Sequence, residues 1–231
     1  MVAAHGFSQD LPPRRARRYS LDMNGLGLAL ARVRRELGEG AWVALLEDFI
    51  VDDVALMEKL LRTLPLGPQT IRLAGREVLS PRLVSWHGDP EAHYRYSGRT
   101  FAPRPWTPDL LAVKDRVDEI VGVRFNSVLA NYYRDGRDSM GEHADDEPEL
   151  GPERDNILIA SVSLGARRRF LLRHKRSGAV QELALGGGNL FVMGGTTQRH
   201  FKHRVPRTTA PAGARMNLTF RVVVGRRTPM A

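Results

Sequence analysis

At 231 residues the chain can bury one sizeable core, and nothing in its composition forces a second domain. It has no cysteine, which excludes disulfides, thiolate metal sites and cysteine nucleophiles, so any metal must be held by His, Asp or Glu. No apolar run approaches the roughly 20 residues of a membrane helix, the start Met1-Val2-Ala3-Ala4-His5-Gly6 lacks a signal-peptide pattern, and the net charge of +9 suggests a polyanionic partner, although an arginine-rich composition can reach it without one.

In chain order, residues 1–24 carry Pro12-Pro13-Arg14-Arg15-Ala16-Arg17-Arg18, too polar and Pro-interrupted to pack, and are expected to form a basic, disordered arm. Leu26, Leu28, Leu30, Val33 and Leu37 give a helical spacing that ends at Gly38-Glu39-Gly40. Trp42–Leu46 reads as a buried strand, and Asp52 or Asp53 caps a helix carrying Val54, Met57, Leu60, Leu61 and Leu64. Short strand-like runs follow at Thr70–Leu73, Pro81–Trp86 and Tyr94–Ser97, and then a helix over about Pro108–Val121.

Beyond it the spacing predicts strands near Ser127–Tyr133, Ile157–Leu164, Arg169–His174, Val180–Leu185, Asn189–Met193, His203–Val205 and Asn217–Val224. Regular short strands parted by Gly and Pro indicate a sandwich or barrel in one domain over 25–225, with 226–231 as a tail. The densest basic block is Arg167–Arg176, with six Arg or Lys and no acid, read either as a strand and turn beside a phosphate backbone or as a solvated basic hairpin.

Two imidazoles and a carboxylate are the facial triad of a non-haem ferrous centre, which leaves coordination positions open for a cosubstrate and dioxygen. His143-x-Asp145 supplies two such groups on one side of an extended segment, and the third histidine is open between His203, His200 and His174. Asn131 and Tyr133 share one strand face upstream. Arg215, Asn217, Thr219 and Arg221 share another downstream, so two guanidiniums, an amide and a hydroxyl aim at one spot. Bidentate arginine pairing suits a carboxylate, and an arginine at each end suits a small dicarboxylate. The plainer alternative has both arginines pairing with Asp or Glu at an ordinary strand.

Together, Asn131-x-Tyr133, Asp138, His143-x-Asp145-Asp146-Glu147, Ser161–Gly165, His203-Arg204-Val205-Pro206 and Arg215-x-Asn217-Leu218-Thr219-Phe220-Arg221 resemble the AlkB family of iron and 2-oxoglutarate dependent nucleic-acid demethylases. Pro81-Arg82, Gly88-Asp89, Tyr94–Gly98 and Pro105-Trp106 are similar to the animal homologues two and three. The resemblance implies an α+β, mainly β fold: a double-stranded β-helix (jelly-roll) over about 125–225, preceded by N-terminal helices and a nucleotide-recognition hairpin lid over about 65–108.

It further implies Fe(II) on His143, Asp145 and His203, since the family's third ligand is followed closely by Pro. In this pattern 2-oxoglutarate meets Arg215, Tyr133 and Asn217 at its distal carboxylate, and Arg221 and Asn131 beside its keto group. With O2 as second cosubstrate, the reaction oxidises the N-methyl group of N1-methyladenine or N3-methylcytosine and releases formaldehyde, succinate and CO2. The base must leave its stack; Tyr94, Tyr96 and Ser97 would receive it, Glu147 would face its exocyclic amine, and Arg168 would touch the nucleic-acid backbone.

One departure is the hairpin tip, where Ala74-Gly75 stands in place of the aromatic wedge of the duplex-repairing homologue, unless Leu73 takes that place. The expected partners are therefore methylated single- or double-stranded DNA and, as a further candidate, RNA. A monomer is expected, away from membranes, nuclear in a eukaryote or cytoplasmic in a bacterium. Two other readings stay open: an oxygenase of a non-nucleic-acid substrate, and an inactive nucleic-acid binding module.

Overall fold

The computed structural model describes residues 27–73, 76–96, 99–150 and 156–224. Its strands are β1 (Arg34–Gly38), β2 (Ala41–Leu46), β3 (Gly67–Leu73), β4 (Arg76–Gly88), β5 (Tyr94–Tyr96), β6 (Arg99–Phe101), β7 (Ser127–Tyr133), β8 (Met140–His143), β9 (Ile159–Gly165), β10 (Arg168–His174), β11 (Val180–Leu185), β12 (Asn189–Gly195), β13 (Phe201–Val205) and β14 (Arg215–Arg221). The helices are α1 (Leu28–Val33), α2 (Asp53–Thr63), α3 (Pro108–Val121) and α4 (Thr197–His200). A large antiparallel sheet runs β1-β2-β12-β9-β14-β7-β4-β3, a smaller one runs β11-β10-β13-β8, and β5 pairs with β6.

The alternation within β14 explains the layering. Met216, Leu218 and Phe220 point to one face and join Leu30, Leu60, Leu110 and Val117 of the three longer helices in one apolar cluster. The other face looks toward the smaller sheet. Tyr133, Phe191 and Met193 of the large sheet meet Phe170, Leu172, Phe201 and Val205 of the small one in a second cluster. A strand covered on both sides must be buried throughout, and every residue of β14 is. This pair of facing antiparallel sheets with helices on the outside is the mainly β jelly-roll.

Local chemistry sets the element ends. The Thr107 side chain accepts the Leu110 N–H, Pro108 opens α3, and Gly122 at φ 76° closes it, so the helix spans the run its apolar spacing predicts. Helix α2 begins at Asp53, whose carboxylate does not cap it and accepts the Gly165 N–H at 2.7 Å, tying the helix to the end of β9.

Three expectations change. The helix expected over Leu26–Leu37 covers only Leu28–Val33; Arg34–Gly38 leaves as β1 and pairs back onto β2 through a turn with positive φ at Gly38, Glu39 and Gly40. The jelly-roll core extends beyond 125–225, because β2 lies beside β12 and β4 beside β7. The segment expected as a lid is thus continuous with the large sheet through Leu83–Gly88. Strand β8 and the single turn α4 have too few apolar residues to signal themselves by periodicity.

Candidate metal and cosubstrate site

His143 ends β8, opposite His203 of β13 in the small sheet, and Asp145 follows two residues later. Register alone brings the two imidazoles together, with ring centroids 4.2 Å apart. The Asp145 carboxylate lies 4.0 Å from His143 Nε2 and 3.6 Å from His203 Nε2. Both gaps exceed a hydrogen bond. One nitrogen from each of two histidines and one carboxylate oxygen face a common point without bonding one another, all within 4.8 Å. That donor set fits a divalent iron.

The protonation states agree with that use. Burial, followed by the neighbouring His143, pushes His203 down to about 3, so it presents a neutral ring at any working pH. Burial opposes ionisation of Asp145, but Arg221, His203 and His143 outweigh it and hold the carboxyl below its ordinary range. Arg221 donates to Asp145 Oδ1 at 2.5 Å. The other ring nitrogen of His143, Nδ1, lies 2.9 Å from the Gly141 carbonyl, the kind of contact that orients a ligating histidine and leaves Nε2 outward. His203 stacks on Phe170, with centroids 5.3 Å apart.

Beside the triad, β14 meets β7 and β9 in register, so Asn217 stands in one row with Asn131 and Ser163, and Arg215 in another with Tyr133. Arg215 is buried and donates through Nη2 to Ser163 Oγ (2.8 Å) and Asn217 Oδ1 (3.0 Å), and through Nε to the Leu185 carbonyl (3.2 Å). The Tyr133 ring lies 5.2 Å from its guanidinium carbon. Among the described residues its Nη1 is buried with no hydrogen-bond partner and no carboxylate pairs with it, so that the Tyr133 side chain is what favours its charge. Burial works against its charge. A buried cation without a counter-ion is costly, and a carboxylate ligand removes that cost.

One cavity is lined by His143, Asp145, His203, Asn131, Tyr133, Arg215, Asn217 and Arg221 together. His200 and His174, the rivals for the third ligand, stand elsewhere, 3.4 Å and 2.9 Å from Glu39. Within the cavity the contacts differ from expectation in two places. Arg221 is engaged with Asp145, and Asn131 accepts from the buried Arg82 at 2.7 Å. Arg82 also donates to Ser80, and both lie in β4.

The role expected for Arg168 does not fit its position. It is buried, and its guanidinium donates to the carbonyls of Asp135, Gly136, Asp138 and Pro206, so it ties the 135–138 loop to the end of β13. Glu147 is half-buried and outside the cavity lining. Ala74, Gly75 and Ser97 lie outside the described residues, as do the side chains of Tyr94 and Tyr96. Sequence reasoning placed Arg82 and Ser163 within family-like motifs without giving them a role, and missed Gln198, a polar residue whose importance arises only from its burial and contacts.

The sequence profile of the 2OG-Fe(II) oxygenase superfamily matches residues 51–221. The chain is 41% identical over 162 residues to the mouse protein named DNA oxidative demethylase ALKBH2, covering 67% of this chain and 66% of that one. It is 38% identical over 178 residues to the human protein named alpha-ketoglutarate-dependent dioxygenase alkB homolog 3, covering 73% of this chain and 60% of that one. The matched region therefore spans less than two thirds of each relative. The structure of OsALKBH1 superposes with a TM-score of 0.55 at 19% identity, over 82% of this chain and 99% of that one, which establishes a shared fold. Fe(II), 2-oxoglutarate and O2 are the cofactor and cosubstrates of the superfamily. By the profile and these relatives, the chain belongs to the 2OG-Fe(II) oxygenase superfamily, in its AlkB family.

Proposed function

We propose that the protein is an oxidative demethylase that repairs N-methylated bases in nucleic acid, with N1-methyladenine and N3-methylcytosine as its substrates. The observation that carries this reading is Arg215, a buried cation with an unused Nη1 in the same cavity as a two-histidine, one-carboxylate cluster. Arg215 would take one carboxylate of a dicarboxylate cosubstrate, whose bonding the free Nη1 would complete. When bound, iron(II) and 2-oxoglutarate supply the oxidation of an N-methyl group by O2, with succinate, CO2 and formaldehyde as products.

The chain's own residues contribute position and charge. His143, Asp145 and His203 would hold the metal, and Arg221 keeps Asp145 ionised and aimed. Arg215, Asn217 and Tyr133 would bind the distal carboxylate, and Asn131, fixed by Arg82, would stand at the other end. Fixing reactants in this way is where the protein's share of the rate arises. The choice of a methylated base follows the name of the mouse relative, a DNA oxidative demethylase, and the family-like Tyr94 and Tyr96. A methylated base that cannot pair is also the cheapest to extrude.

The test compares succinate release on N1-methyladenine oligonucleotides presented as single-stranded DNA, duplex DNA and RNA at one salt concentration. Methyl-dependent succinate release on at least one strand type is expected, with single-stranded DNA above duplex because Ala74 replaces an aromatic wedge. Release that ignores the methylated base would overturn the substrate assignment, and a duplex rate equal to the single-strand rate would overturn the argument from Ala74.

A further inference from the structure

Asp145 reaches the triad from a segment that has left the sheet: β8 ends at His143, and the next helical turn starts at Pro148. Arg221 holds its carboxylate, but the direction of that carboxylate depends on the main chain beneath it. The Asp145 N–H donates to Gln198 Oε1 at 2.9 Å. Gln198 is fully buried on α4, the single turn that leads into the strand of His203. A lone turn has little stability of its own. This one is anchored by Thr197, whose hydroxyl accepts the Trp42 N–H at 3.1 Å and lies 2.6 Å from the Gly194 carbonyl.

The remaining contacts close a ring. The Gln198 carbonyl accepts from Lys175 Nζ at 2.9 Å, and Lys175 Nζ lies 3.8 Å from Asp146 Oδ2. Among the described residues the side-chain amide nitrogen of Gln198 meets the Met193 sulfur, a weak acceptor, at 3.6 Å. A buried glutamine is expensive unless it is hydrogen-bonded, and its one strong side-chain bond goes to the ligand residue itself.

We propose that Gln198 is the positioning residue for the iron-binding carboxylate, fixing Asp145 relative to His203, with Lys175 closing the ring from the opposite side. This rests on the triad being the metal site. Support of this kind around ligands changes metal affinity roughly 10- to 100-fold. It also explains why the Asp145 segment needs no ladder of its own.

The experiment is a Mn(II) titration of the metal-free full chain, followed by electron paramagnetic resonance, for wild type, His143→Ala, Gln198→Met, Gln198→Glu and Lys175→Met. Gln198→Met keeps the side chain's length and removes the acceptor, and is expected to weaken Mn(II) by about tenfold or more. Gln198→Glu keeps the acceptor at the cost of a buried carboxylate and should lose clearly less than Gln198→Met, while Lys175→Met should lose about threefold or more. Wild-type affinity in Gln198→Met, or equal losses in Gln198→Met and Gln198→Glu, would overturn the proposal. Should Gln198→Met fail to fold, Lys175→Met decides, and unchanged affinity there overturns it. Mn(II) binding unaffected by His143→Ala would instead sink the metal site and this inference with it.

Discussion

At the scale of single residues, the site is assembled from groups that would be unstable alone. Arg215 is the clearest: removing its guanidinium relieves a buried charge in the free protein but deletes the partner of an incoming carboxylate. Arg215→Met should therefore raise the 2-oxoglutarate Kd by about 30-fold or more, from the roughly 2–5 kcal/mol that a buried hydrogen-bonded charge pair loses on truncation, while leaving Mn(II) affinity near wild type. Calorimetric titration of 2-oxoglutarate into Mn(II)-loaded protein measures it. An unchanged Kd would remove Arg215 from the cosubstrate site.

His203 makes a pH statement about the metal-free protein. Its folded value of about 3 lies below the ordinary 6.5, so between those limits the unfolded chain binds a proton that the folded chain does not. Its contribution is complete above pH 6.5 and is lost as pH falls toward 3. Denaturant midpoints between pH 7.5 and 5 should decline less steeply in His203→Asn than in wild type. Arg168 makes a statement about stability. Arg168→Ala strips donors from four carbonyls and should cost on the order of 3 kcal/mol, with the salt dependence of oligonucleotide binding unchanged. A weaker salt slope with normal stability would restore it as a nucleic-acid contact.

At the scale of elements, alternation decides which face of each strand does chemistry. The β14 sequence writes its two faces in plain form, Arg215, Asn217, Thr219 and Arg221 against Met216, Leu218 and Phe220, so its layering is legible in the sequence alone. Leu218 packs in the helix-side cluster, and Leu218→Ala should cost about 2–5 kcal/mol in chemical denaturation. A cost under about 1 kcal/mol would mean the layer is loosely packed. The spacing of Leu26 to Leu37 misled because Arg34–Gly38 finds an antiparallel partner in β2, and tertiary pairing overrides a weak helical pattern. Gln198 was illegible for a different reason. Nothing in a Thr-Gln-Arg-His turn signals that its second residue will meet an amide 53 residues earlier in the chain.

At the scale of the whole molecule, the candidate metal ligands and the residues proposed for the cosubstrate converge because β7, β8, β13 and β14 all border one cavity between the two sheets. The identity of these residues could be read from spacing and family likeness, while their mutual contacts, such as Arg221 on Asp145 and Arg82 on Asn131, required register. The charge of the basic block also changes meaning in the fold. Arg169, Arg173 and Arg176 pair with Glu182, Glu142 and Glu39, and Arg167 lies 3.5 Å from Glu47. Exposed pairs of this kind are worth only about 0–1 kcal/mol each, so they add little to stability.

Demethylation of a base in this cavity, as proposed, can be tested directly. The most direct measurement is the mass of a single-stranded DNA oligonucleotide carrying one N1-methyladenine, after incubation with the protein, Fe(II), 2-oxoglutarate and ascorbate in air. Conversion to the unmodified mass is expected, abolished by His143→Ala or Asp145→Ala and by omission of 2-oxoglutarate. An unchanged mass with folded, iron-loaded wild-type protein would contradict it.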